Sequence, residues 1–207
     1  MYPLFESLCI QNGKILNSKW HEKRFRKAYL KYFGKSAYFN LLDEINIPKE
    51  FKKGNVKLRV LYGETGREIQ FEIYKLRKIN TIRLVHVSSL KYPLKLIERE
   101  KLNSLFEQRG ACDDVIIVRD GQITDSSYAN LIFFDGREWI TPKYPLLEGT
   151  CRARLLANGK IKMATLGIQE LKAFKGLKLI NAMRDIDQEL IPMDRICLLY
   201  TSPSPRD

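Results

Sequence analysis

Histidine and paired cysteine are what this sequence has least of. Its two histidines, His21 and His86, and its four cysteines, Cys9, Cys112, Cys151 and Cys197, are scattered over 207 residues with no CxxC spacing. That scatter argues against a structural zinc site or any other metal centre, against a disulfide scaffold, and for a reducing cytoplasm. No stretch near the N-terminus runs from basic to apolar to small residues as a signal peptide does, and no apolar run approaches the ~18 residues of a membrane span. No membrane association is expected, and no repeat of fixed period is visible. Acidic residues are outnumbered by basic ones, 24 against 36, for a formal net charge of +12. A clustered excess of this kind marks nucleic-acid binders. Here the basic residues are spread along the chain, and the densest group, Lys19 to Lys35, has the spacing of an ordinary helix with a solvated face. A small anionic substrate or cofactor uses the same charge, and that is the expected partner rather than nucleic acid.

The chain is long enough to bury a real core, and its punctuation divides it into elements. Asn12-Gly13 is a strong two-residue hairpin signal between residues 4–10 and Ile15-Leu16. From Ser18, the expected N-cap, apolar residues recur at Trp20, Phe25, Ala28, Tyr29, Tyr32 and Phe33 until Gly34, which predicts a helix. Alternation at Val56, Leu58, Val60 and again at Ile69, Phe71, Ile73, around Gly63 to Gly66, predicts a second hairpin, and residues 79–87 a further strand. Residues 94–109 run at helical period. A meander of short strands follows between Val115 and Ile140, then a helix at 149–158 and a core strand at 178–182. Strand-rich halves that each carry helices predict an α/β (α+β) protein of two lobes. The expected division is a small N-terminal lobe over residues 1–87, a joint at 88–93, and a larger C-terminal lobe over 94–197 with a mixed-sheet or barrel-like core. The Ser/Pro-rich ending LLYTSPSPRD breaks with the rest, so residues 198–207 are set aside as a disordered or artefactual tail.

Four stretches stand out chemically: His21-x-x-Arg24, Lys95, the run GQITDSSYANLIFF around Asp125, and Leu147-Glu-Gly-Thr-Cys-Arg152 at the start of a helix. The last leaves backbone N–H groups unpaired at a positive dipole end, which suits a phosphate. Taken singly each has an ordinary reading, such as a surface arginine, a solvated lysine, or an aspartate bonding its own turn. Their order and spacing together are more specific. Over residues 1 to 197 the chain resembles the class IV pyridoxal-phosphate aminotransferases, the group that holds branched-chain aminotransferase, D-amino-acid aminotransferase and aminodeoxychorismate lyase. Phe5-Glu6-Ser7 with Asn12-Gly13, His21-x-x-Arg24, Asp113-Asp114-Val-Ile-Ile-Val, Gly121-x-Ile-Thr-Asp125, Ser127-x-x-Asn130, Thr141-Pro142 and Leu147-x-Gly-x-x-Arg152 fall in that family's order.

The resemblance implies a fold type IV enzyme using pyridoxal 5'-phosphate. It implies that Lys95 carries the cofactor covalently, with Lys91 and Lys101 as nearby rivals, and that Asp125 faces the ring nitrogen. Arg24 and the backbone amides of Thr150 and Cys151 would hold the phosphate, with Asn130 and Ser127 ordering the loop. Ser7, Lys57, Arg59 and Arg67 are the expected substrate-binding residues. The family usually has Glu where Asp125 stands, and the histidine that the D-amino-acid enzyme carries two residues after Arg67 is Ile69 here. The implied activity is the conversion of 4-amino-4-deoxychorismate to 4-aminobenzoate and pyruvate in folate synthesis. Transamination of branched-chain amino acids is the alternative, and a non-catalytic family member the third reading. A homodimer is expected from the family alone.

Overall fold

A computed structural model describes residues 2–197; the proposed tail at 198–207 lies outside the described residues. Strand β1 (Leu4–Gln11) turns through Asn12-Gly13 into β2 (Lys14–Ile15). Both turn residues have positive φ, 48° and 76°, the geometry whose twist matches that of the flanking strands. Helix α1 (Ser18–Phe33) follows. Its N-cap is Asn17, in the left-handed conformation and without a side-chain cap bond, so the expected cap at Ser18 is one residue late. Gly34 ends the helix at φ 70°, donating its N–H to Leu30 O.

Strands β3 (Asn55–Gly63) and β4 (Gly66–Ile73) complete an antiparallel sheet of order β2-β1-β3-β4. Side chains alternate across it. Leu4, Leu8 and Ile10 of β1, with Val56, Leu58, Val60 and Tyr62 of β3, pack against Phe25 and Tyr29 of α1. Each such side chain contributes roughly 1.5–3 kcal/mol of burial, and this is what fastens α1 to the sheet. The opposite face carries Ser7 beside Arg59 and Cys9 beside Lys57.

The second sheet begins with β5 (Ile82–Val87) and continues, after α2 (Glu100–Glu107), with β6 (Asp114–Arg119), β7 (Gln122–Ser126), β8 (Asn130–Phe134) and β9 (Trp139–Pro142). Helix α3 (Thr150–Ala157), β10 (Lys162–Ala164), β11 (Gly176–Ile180), β12 (Ile191–Pro192) and β13 (Ile196–Cys197) complete it. The order is β10-β9-β8-β7-β6-β5-β13, with β11 pairing β8 and β12. Parallel pairs (β5 with β6 and β13, β9 with β10) mix with antiparallel ones, giving the mixed α/β architecture. The turn from β6 to β7 repeats the positive-φ pair at Asp120 and Gly121.

Two expectations shift. The sheets change over between β4 and β5, because residues 82–87 pair with β6; the joint expected at 88–93 therefore falls after the second sheet has begun. The helix expected from residue 94 starts only at Glu100. Before it, residues 95–97 run beside β1, with Phe5 N donating to Lys95 O at 3.1 Å and Ile97 N to Pro3 O at 2.9 Å. Among the described residues no helix is long and apolar enough to cross a membrane.

Candidate active site

A cavity of about 350 Å³ opens where the outer face of β1 and β3 meets β7 and the start of α3. Lys95 projects into it from the extended segment beside β1, its amine 4.6 Å from the centre of the Phe5 ring. That amine makes no hydrogen bond or ion pair with any described residue. Withdrawal from water lowers its pKa to about 7, with Arg24, Arg99 and Arg59 adding to the effect against the opposing pull of Glu6. About half of such an amine is neutral near pH 7, and the neutral form attacks carbonyls. Lys91 and Lys101 are exposed and do not line the cavity.

Asp125 is delivered by the β6–β7 hairpin, which brings it into the cavity wall from the second sheet. Its Oδ2 accepts from Leu146 N at 2.8 Å and Leu147 N at 3.0 Å, and its Oδ1 from Asn130 Nδ2 at 2.7 Å. Burial raises its pKa to about 6 even though these bonds and Arg152 favour the charged form. The shorter side chain is thus anchored by the backbone of the 146–147 turn. Asn130 also donates to Leu147 O at 2.9 Å, so it ties strand β8 to the same turn. Ser127 Oγ donates to Asp114 Oδ1 at 2.7 Å, away from the cavity acid.

Arg24 reaches the cavity from α1 but is clamped from behind. Its Nε donates to Glu6 Oε1 at 2.7 Å and its Nη2 to Glu6 Oε2 at 2.6 Å. The Glu6 carboxylate also accepts from His21 Nδ1 at 2.6 Å, and His21 Nε2 lies 3.2 Å from Thr150 Oγ1. Glu6 is fully buried. Burial alone would raise its pKa, but Arg24 and His21 bring it down to about 2. Sequence reasoning assigned Glu6 no role, although the signal was there: it falls in the apolar row of Leu4, Leu8 and Ile10, where a lone carboxylate needs a partner.

Of the residues singled out by sequence, Lys95, Arg24, Asp125, Ser127, Asn130, Thr150, Ser7, Lys57 and Arg59 line this one cavity. Two do not. Arg67 turns to the 40–43 loop, bonding Asn40 O and Asp43 O, because its register opposite Tyr62 puts it on the α1 side of the sheet. The Cys151 thiol faces Arg154 and Asp185, and burial pushes it up to about 12; only its N–H, in the first turn of α3, stays available to an anion. Lys57 is paired with Glu72 at 2.7 Å. Arg99, unremarked in the sequence, also lines the cavity; it bonds Ser127 O at 2.6 Å, and its buried Nε has no partner among the described residues. The buried Nε of Arg59 is likewise unpartnered, and its guanidinium lies 4.3 Å from the Phe5 ring centre.

An amine of lowered pKa, a buried acid and arginines beside a helix start thus share one cavity. Residues 89–188 match the profile of amino-transferase class IV. An uncharacterized protein of Haemophilus influenzae is 41% identical over 188 residues, 90% of this chain and 100% of that one. The crystal structure of a protein from Haemophilus somnus, named as a candidate 4-amino-4-deoxychorismate lyase, superposes with a TM-score of 0.84 at 34% identity, covering 90% of this chain and 98% of that one. A hypothetical aminotransferase from Mycobacterium tuberculosis in its PLP-bound form shares the fold, with a TM-score of 0.69 at 16% identity over 94% of this chain and 81% of that one. The chain belongs to the class IV aminotransferase family and is a pyridoxal-phosphate-dependent enzyme, a lyase or a transaminase.

The residues present fit that cofactor. Lys95 offers an unpaired amine of lowered pKa for its aldehyde, and the unpartnered first-turn amides of α3 offer donors for its phosphate. When bound, the cofactor supplies an electron sink for a carbanion formed beside the substrate nitrogen.

Proposed function

We propose that this enzyme converts 4-amino-4-deoxychorismate to 4-aminobenzoate and pyruvate, a step in folate synthesis. The observation that carries the reading is the charge of the cavity wall around Lys95. Arg59 and Arg99 each keep a buried, unpartnered Nε there, and Lys57 lies on the same strand face as Arg59. A substrate with two carboxylates supplies the anions this wall leaves unmatched. In this reading Arg24 and the first amides of α3 orient the cofactor phosphate, and Asp125 holds a proton at the ring nitrogen. Lys95 binds the cofactor and, once displaced by substrate, moves a proton at the carbon beside the substrate amine. Ser7, between Phe5 and Arg59, orients the substrate. Amino-acid transamination of the branched-chain type is the second reading, favoured by Leu102 and Leu146 on the wall. The enzyme acts in the cytoplasm as a homodimer on a small anionic substrate, a reading supported by family likeness and by cysteines spread along the sequence without CxxC spacing.

The test is direct. Purified protein given pyridoxal phosphate and 4-amino-4-deoxychorismate should release 4-aminobenzoate and pyruvate in equal amounts. Glutamate formed from an amino acid and 2-oxoglutarate, without 4-aminobenzoate in the first assay, would replace the lyase by the transaminase. Failure of both, with no new absorption band on adding pyridoxal phosphate, would leave a non-catalytic member.

A further inference from the structure

Behind the anion seat lies a buried chain whose proton positions are determined by its chemistry. Glu6, held ionised by Arg24, can only accept hydrogen bonds, so the hydrogen on His21 Nδ1 points at it over 2.6 Å. If the imidazole is neutral, Nε2 carries a lone pair, and its partner at 3.2 Å is the Thr150 hydroxyl. Thr150 must then donate its one hydrogen backwards to His21 and present only lone pairs to the cavity. If the imidazole is protonated, Nε2–H donates to Thr150 instead, and the hydroxyl hydrogen is released to turn toward an anion. We propose that His21 is a proton-linked positioning residue: an anion seated at the start of α3 draws a proton from solvent onto His21, and Thr150 changes from a donor to His21 into a donor to that anion.

The surroundings of His21 support a switch rather than a fixed charge. The charged groups facing it are Glu6 from β1, Arg24 from its own helix and Lys95 from the segment beside β1, with Thr150 opposite on α3. Arg24 and Glu6 largely neutralise each other through their two-point contact. Burial lowers the His21 pKa, opposed by Glu6 and assisted by Arg24 and Lys95, which favours the neutral ring, and added negative charge acts in the opposite direction. A phosphate dianion is such a charge, and the chain's path from β1 through α1 to α3 connects both sheets to it.

The inference rests on the reading that the cofactor phosphate sits at the start of α3, and its failure is separable from the failure of that reading. Pyridoxal phosphate is titrated into cofactor-free full-length protein, wild type and Thr150→Val, from about pH 5.5 to pH 8.5, the range in which histidine changes charge. Titration of Lys95, Asp125 and the phosphate itself is common to both proteins and cancels in the ratio of their dissociation constants. The ratio should lie near one at the alkaline end and grow to about tenfold in favour of wild type at the acid end, the size of a hydrogen bond to a charged group. Pyridoxal, which lacks the phosphate, should give a ratio near one throughout, and His21→Asn should remove the pH dependence. Thr150→Ser keeps the hydroxyl and must keep the wild-type profile, which supplies the comparison if the valine variant folds poorly. A ratio independent of pH, whether at one or at a constant preference, overturns the switch. Loss of pyridoxal phosphate binding to the wild type itself overturns the seat on which it rests.

Discussion

Replacing Gly149 by alanine tests whether the cavity acid is held as tightly as the geometry requires. Gly149 has φ −71° and ψ 145°, a conformation open to any residue, so the substitution adds no backbone strain. The added Cβ would lie 1.9 Å from Asn130 Oδ1 and 3.1 Å from its Cγ, so the Asn130 amide must turn away. Turning it breaks the 2.7 Å bond to Asp125 and the 2.9 Å bond to Leu147 O. A hydrogen bond to a charged group contributes about 1.5–3 kcal/mol and a neutral one about 1 kcal/mol, so Gly149→Ala should cost roughly 2–4 kcal/mol. Urea unfolding of the cofactor-free protein at unchanged m-value measures it. The decisive arm is the double mutant. In an Asn130→Ala background the space is already open and both bonds are already gone, so Gly149→Ala should then cost under about 0.5 kcal/mol, leaving a coupling of about 1.5 kcal/mol or more. Equal costs in the two backgrounds would show that Gly149 is needed for some reason other than Asn130, and the reasoning would fall.

Glu6→Gln removes the shared partner of Arg24 and His21 and should destabilise the protein by about 3–5 kcal/mol at neutral pH, the usual cost of stranding a buried charge. Because the folded pKa of about 2 lies below the ordinary 4.5, Glu6's contribution is complete above about pH 4.5 and is lost as pH falls through about 2; denaturation at pH 7 and pH 3 should show wild type losing its lead over the variant. Arg99→Gln takes one positive charge from beside Lys95, so the acid limb of the rate of pyridoxal phosphate uptake, expected near pH 7, should move to higher pH. An unmoved limb would show that Arg99 does not act on the amine. Arg67→Ala should leave the KM for substrate unchanged while lowering stability by about 1–2 kcal/mol, since its bonds are to the 40–43 loop. A raised KM with unchanged stability would restore it to the substrate site.

Local chemistry made much of this legible in sequence. Asn12-Gly13 marks the first hairpin because both residues tolerate positive φ, and the apolar stripe with Gly34 marks α1 nearly to the residue. The family order of motifs singled out Lys95, Arg24, Asp125 and Asn130, which share one cavity. What sequence did not show depends on register and on pairing between distant segments. Arg67 and Arg59 look alike as basic residues of one hairpin, yet strand pairing puts Arg59 toward the cavity and Arg67 under the sheet. The helical period from residue 94 leaves Lys95 just before or within a helix; the hydrogen bonds of residues 95–97 to residues 3–5 put it before the helix, a long-range contact no local propensity reports. Glu6 is visible as an anomaly in an apolar row, whereas nothing local marks Arg99, which is set apart only by its bond to Ser127 O from a distant segment.

The lysine comes from the part of the chain that follows β4 but is seated along β1, which precedes it. A polypeptide divided between β4 and β5 would therefore separate the amine from its seat without touching either. The second piece would hold Lys95, Asp125 and the start of α3, the first would hold the strand that aligns Lys95, and capture of pyridoxal phosphate would report the moment the two pieces find each other. The enzyme is in this sense already a complementation pair, joined by a segment that contributes no group to the chemistry but Tyr74 to the cavity wall.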